Sequence, residues 1–164
     1  MIDDRHLRTA FGNFGTGVAV ATALKVSESE GEENSAWGLT INSFASVSLS
    51  PPLLSWCLGN YSEMADLFTT ATHFGISILS ATQKELSMRL AAPDTHCLQD
   101  DDYILSENKL PHIAGSLAHF DCQVQQRLSV GDHTLFIGTI ENAAYCDKNR
   151  APLFYFRGQY TSSL

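Results

Sequence analysis

Short apolar rows with the period of a β-strand, cut at close intervals by turn residues, leave this chain few folds to choose from. From Thr16 to Val26 the row TGVAVATALKV is small, β-branched and apolar, the pattern of a buried strand. PPLLSWCLG repeats it, with Pro51 and Pro52 at the junction because proline cannot donate to an interior ladder. HFGISILS, His73 to Ser80, is another such row. HFDCQVQQRLSV alternates, Gly131-Asp132 forms a two-residue turn, and HTLFIGTIENAAY returns as the second arm of a hairpin. PLFYFRGQY reads as an aromatic strand. About six or seven strands joined mostly by turns predict a closed or sandwiched antiparallel sheet rather than a βαβ fold.

Helical spacing is confined to short patches. Leu7, Ala10, Phe11 and Phe14 fall three and four apart within Asp3 to Asn13, which predicts an amphipathic helix with acids at its start. Ser62 is placed to cap a helix over SEMADLF, and TQKELSMRLAA, Thr82 to Ala92, carries Leu86 and Leu90 one turn apart before Pro93 ends it. SESEGEENSA is too charged to pack and is expected as an exposed hairpin loop. Asp94 to Gly115 is polar and irregular, a surface excursion or a functional lid.

At 164 residues the chain is expected to form a single domain, 1–164, and 44% hydrophobic with 17% charged residues is ordinary for a folded protein. Ten Lys and Arg against eighteen Asp and Glu argue against general affinity for nucleic acid or anionic membrane. No apolar run is long enough to cross a bilayer, and MIDDRHLRTAFG begins with acids, so the expectation is a cytoplasmic protein. Cys57, Cys97, Cys122 and Cys146 form no CxxC pair, and neither His96-Cys97 nor His119 to Cys122 has a second spaced pair. Free thiols and no metal are expected.

GLTINSFASVSLSPPLL, Gly38 to Leu54, belongs to a longer stretch, Asn34 through Ser62, that carries no charged side chain. A regular pleat would turn Leu39, Ile41, Ala45, Val47 and Leu49 to the core and Thr40, Asn42, Ser46, Ser48 and Ser50 to the other side. A solvated face normally holds long charged chains. Short hydroxyls and amides suit a flat polar molecule, with Phe44 placed to pack on a ring. Four or five neutral hydrogen bonds of about 0.5 to 1.5 kcal/mol each, with ring burial, suffice for roughly micromolar binding. The same run also fits a serine-rich edge strand whose side chains bond their own backbone.

That run, together with HFGISILS, LSVGDHTLFIGTI and PLFYFRGQY in this order, resembles the flavin reductase family, NAD(P)H:flavin oxidoreductases on an FMN-binding split β-barrel. The resemblance spans Phe11 to Tyr160. It implies a mainly β split barrel, Greek-key-like and antiparallel, with a few short peripheral helices. It also implies FMN or FAD held noncovalently, NADH or NADPH as co-substrate, a homodimer with the site near the interface, and reduced flavin released to a partner monooxygenase. By resemblance, Thr40, Asn42 and Ser43, within a run that also holds Ile41 and Phe44, touch the isoalloxazine edge and ribityl chain, with Ser46 and Ser48 nearby. Cys57, Leu58 and Ser62 line the ring or phosphate side, and Lys84 and Arg89 are candidates for the phosphate or adenine. His133, just after the Gly-Asp turn, matches a histidine on the nicotinamide side that orients the ring for hydride transfer to flavin N5. Arg157 is either a phosphate contact or a surface arginine, and Tyr155, Phe156 and Tyr160 read as core or interface aromatics. Two other readings use the same kind of barrel. One is a noncatalytic FMN-binding module; the other is a pyridoxamine-phosphate-type oxidase, for which the chain is poor in Arg and Lys.

Overall fold

The structure, a computed structural model, describes residues 2–27, 34–146 and 149–163. In chain order α1 (Asp4–Phe11) precedes β1 (Thr16–Gly17), β2 (Ala19–Lys25), β3 (Ser35–Ile41), β4 (Ala45–Leu49) and β5 (Pro52–Gly59). Then come α2 (Ala65–Thr70), β6 (His73–Ile78), α3 (Lys84–Leu90), β7 (Tyr103–Leu105) and β8 (Pro111–Ile113). The long pair β9 (Ala118–Val130) and β10 (His133–Tyr145) follows, and β11 (Phe154–Phe156) and β12 (Gln159–Thr161) end the series. The fold is mainly β. Seven strands form one sheet in the order β3-β2-β6-β9-β10-β5-β4, with every neighbouring pair antiparallel.

The edge strands β3 and β4 are consecutive in the chain, joined by residues 42–44 alone. Four Cα steps reach at most about 14 Å, so the two edges of the sheet come together at this corner. Inward-pointing residues at every second position form the main core: Ala19, Ala21 and Ala23 from β2, Leu54, Trp56 and Leu58 from β5, Phe74 and Ile76 from β6, and Phe136 from β10. Trp56 stacks on Phe136 at 4.6 Å and meets Phe68 of α2 edge-on at 4.9 Å. The alanines opposite leave room for these rings. Gly138 serves the same end, because a Cβ there would lie 2.5 Å from Phe74 Cζ. Val20 points to the other side of the sheet and packs with Leu79, Leu90, Ile113 and Leu153 in a second core. Burial on both faces explains why the β2 row is apolar without alternation.

A polar cluster lies inside this framework. His112 Nε2 is 2.5 Å from Asp121 Oδ1, both side chains are 1% exposed, and Asn108 Nδ2 donates to Asp121 Oδ2 at 3.0 Å. His112 also stacks on His119 at 4.4 Å.

Several expectations need correction. Ala45, Val47 and Leu49 do not face the core: β4 is an edge strand whose pairing with β5 slips between Ser46 and Ser48, and Val47 and Leu49 are 51% and 94% exposed. The irregular reading of Asp94 to Gly115 misses β7 and β8, which pair as a hairpin. Arg89 Nη2 bonds Asp102 Oδ2 at 2.6 Å and Asp102 accepts again from the Gln99 N–H, so this segment is tied to α3. PLFYFRGQY is a hairpin rather than one strand, turned at Arg157 and Gly158, both with positive φ. The helix expected from Ser62 starts at Ala65, although Ser62 Oγ does accept from the Met64 N–H at 3.2 Å. Helix α1 forms with Asp3 as its cap, yet buries none of its residues, and Phe11 and Phe14 stay exposed. Residues 28–33 of the loop SESEGEENSA lie outside the described residues.

Candidate functional site

Residues 42–44 are fixed by a serine. Ser43 Oγ accepts from the Cys57 N–H at 2.9 Å and donates to the Cys57 carbonyl at 3.2 Å. The β4–β5 ladder begins with Ala45 opposite Ser55, so the hydroxyl satisfies the next backbone groups of β5 beyond the last strand pair. Thr40 is committed in a similar way. Its Oγ1 donates to the Ser87 carbonyl of α3 at 2.8 Å, and Ser87 Oγ donates to Tyr160 Oη at 3.0 Å. Ile41 is buried in the core, and Phe44 stacks on Phe120 with centroids 6.0 Å apart.

What the run offers outward is narrower than its alternation predicts. Asn42 is exposed and its amide makes no hydrogen bond among the described residues. Ser46 is exposed on the edge strand, while Ser48 Oγ accepts from the Ser50 N–H at 3.2 Å. At the end of β5, Leu58 belongs to the core and Cys57 is half-buried, with burial pushing its thiol up.

His133 opens β10 opposite Gly59. Its Nδ1 is 2.7 Å from Asp132 Oδ1, and the hydrogen bond from the ring, followed by the ring's charge, holds the Asp132 carboxyl below its ordinary range. The turn is clamped by β5: the Asn60 N–H donates to the Asp132 carbonyl and Thr134 Oγ1 donates to Asn60 Oδ1, each at 2.9 Å. Through Ser43–Cys57 and His133–Gly59, the end of β5 therefore joins the 42–44 corner to the β9–β10 turn.

The basic candidates divide. Arg89 is engaged by Asp102. Arg157 touches the N-terminal helix, its Nε donating to Asn13 Oδ1 at 2.9 Å and its guanidinium lying 5.1 Å over Phe156. Lys84, exposed at the start of α3, makes no ion pair among the described residues. Two open recesses lie elsewhere. One of about 1240 Å³ is bordered by Trp37, Met64, His73, Asp94, Lys109 and Glu141. The other, about 660 Å³, is lined by Gly15, Phe156, Gln159, Tyr160, Thr161 and Ser163, so it adjoins the tyrosine linked through Ser87 to Thr40. Asp132, Ser87 and Gly59 were not singled out from the sequence. Only Asp132 had a visible signal, its place beside His133 in the turn.

The profile of the flavin reductase like domain matches residues 11–163. The chain belongs to this family. An FMN reductase (NADH) of Agrobacterium fabrum is 39% identical over 158 residues, covering 96% of this chain and 85% of that one. The reductase component of a flavin-dependent trigonelline monooxygenase of Acinetobacter baylyi is 40% identical over 156 residues. That alignment covers 95% of this chain, which spans 48%, about half, of that longer relative. Among solved structures, an NADH:FAD oxidoreductase of Streptomyces globisporus, in complex with NAD and FAD fragments, superposes with a TM-score of 0.86. It is 33% identical, with 98% of this flavin reductase domain and 94% of that chain covered.

Proposed function

We propose that this flavin reductase domain oxidises NADH and reduces FMN or FAD, and that the reduced flavin passes to a partner monooxygenase. The observation that carries the reading is the junction at the end of β5, where the uncharged 42–46 corner and His133 are anchored to the same strand in a chain of this family. The donor set fits the group. An isoalloxazine edge is neutral and carries both donors and acceptors, and Asn42 and Ser46 present an amide and a hydroxyl at the surface with no charge nearby in the stretch. Bound flavin supplies the two-electron acceptor.

The protein's part is to place the two heterocycles. Asn42 and Ser46 bind the ring edge directly. Ser43 holds the corner to β5, and Thr40 holds it to α3, so their hydroxyls act through the backbone they fix. Phe44 and Leu58 set the apolar floor. His133, half-exposed on a clamped turn, orients the nicotinamide. Of the basic candidates Lys84 and Arg89, Lys84 makes no ion pair among the described residues and is the one free to meet a phosphate, and Cys57 lies on the strand that anchors the corner. Binding through neutral hydrogen bonds is weak enough for release.

The meeting of β3 and β4 at residues 42–44 supports a split barrel as the form of the sheet. A homodimer fits the uncharged strip on which Val47, Leu49 and Tyr61 are exposed, since such a strip suits burial by a second copy. Four free cysteines suit a reducing, cytoplasmic setting, and no helix among the described residues is long and apolar enough to cross a membrane. Steady-state oxidation of NADH and of NADPH, each with FMN, FAD and riboflavin, tests the activity. NADH consumption that depends on added flavin is expected, and its absence with every flavin ends the proposal.

A further inference from the structure

Resting on the placement of His133 beside the nicotinamide, we propose that Asp132 is a positioning residue that sets which hydrogen-bonding group His133 offers. Its carboxylate holds the Nδ1 proton, so the Nε2 lone pair faces the site and accepts from the amino group of the nicotinamide carboxamide.

The geometry supports each step. A carboxylate only accepts hydrogen bonds, so the 2.7 Å contact to Nδ1 requires the proton on that nitrogen. The charged ring carries a proton on both nitrogens, whereas in the neutral form, which the inference concerns, Nε2 then carries the lone pair. The backbone that carries both side chains is fixed: Gly131 turns the chain with φ +61, the Asp132 carbonyl is held by Asn60, and His133 is in register with Gly59. A Cβ built on Gly59 would lie 3.9 Å from His133 Nε2 and near no other atom outside its chain neighbours, which places the ring edge over the end of β5. Nε2 makes no hydrogen bond among the described residues, and the side chain is 50% exposed, so the lone pair is open to a ligand. The carboxamide presents an N–H donor and a carbonyl acceptor. A histidine with the opposite tautomer would select the carbonyl; this one selects the amino group.

Reduced 3-acetylpyridine adenine dinucleotide separates the two, because it keeps the carbonyl and replaces the amino group by methyl. The quantity to compare is the ratio of kcat/KM for NADH to that for the analogue, at saturating flavin. Asp132→Ala and His133→Ala are each expected to lower the wild-type ratio by about three- to tenfold, the value of one neutral hydrogen bond, mainly through KM for NADH. Asp132→Asn, whose amide oxygen still accepts from Nδ1–H, should retain most of it, and the double alanine variant should fall no further than either single one. If His133→Ala lowers the ratio and Asp132→Ala does not, the aspartate is idle and the inference fails while the site reading stands. If His133→Ala leaves both the ratio and the NADH kinetics unchanged, the histidine is not at the nicotinamide and both fall. Thermal unfolding of each variant checks that the ratio is read on folded protein.

Discussion

Two histidine–aspartate pairs in this protein share their chemistry and differ in almost everything else. His133 and Asp132 sit on a turn, 2.7 Å apart, with side chains 50% and 80% exposed. His112 and Asp121 lie 2.5 Å apart inside the fold, each 1% exposed, with Asn108 on the second carboxylate oxygen. At the turn, water screens both groups and the hydrogen bond from the ring lowers the aspartate's titration. In the interior, desolvation outweighs the hydrogen bond that the ring donates to Asp121 and pushes the His112 titration down. The same two side chains thus make a solvent-accessible pair in one place and an internal tie in the other. Environment, not residue type, assigns the role.

Removing the aspartates should separate the pairs most sharply. Asp121→Ala leaves the buried His112 without its partner and is expected to destabilise the fold by about 3–5 kcal/mol, read from urea unfolding. A loss below about 1 kcal/mol would mean the internal pair holds nothing together.

Next in size is the pH dependence of stability. The folded His112 titrates below its unfolded value, so the unfolded chain takes up the proton first as pH falls. The contribution of His112 is therefore complete above about pH 6.5 and is lost below it, at up to about 1.4 kcal/mol per pH unit. Urea titrations between about pH 5 and 8 should show that slope in the wild type and a shallower one in His112→Gln. Equal slopes would assign the acid sensitivity to another group.

Around the exposed pair the effects should be on binding. Asn42→Ala is expected to weaken flavin binding by about three- to tenfold, the loss of one neutral hydrogen bond, with an unchanged unfolding midpoint. Flavin titration by fluorescence quenching reads it, and identical affinity would remove Asn42 from the contact set. Smallest of all, Asp132→Ala should cause no measurable loss in the urea unfolding midpoint, because its partners stay in water. A clear loss would show that the turn pair is structural after all.

Periodicity located most of the strands because burial of one or both faces is written locally. TGVAVATALKV, PPLLSWCLG and HFGISILS appear as β2, β5 and β6, and the Gly131-Asp132 turn appears between β9 and β10. The same reasoning failed at β4, where alternation of apolar residues promised a core that an edge strand does not face. It failed again at β7 and β8, whose three residues each are too few for a period to show. At the site, the charge-free stretch and the Gly-Asp-His turn were legible, but not the partners that restrict them. Thr40 bonds a carbonyl 47 positions away, and Ser43 bonds backbone 14 positions away.

Local pattern along the chain, then, was enough to read a mainly β protein of the flavin reductase family, with an uncharged polar stretch and a histidine on a tight turn. That Thr40 and Ser43 hold the corner while Asn42 and Ser46 remain open, and that His133 is reachable and His112 enclosed, follows from how distant segments pack together. Side-chain hydrogen bonds between distant segments leave no period along the chain. Whether water reaches a polar group depends on what folds over it.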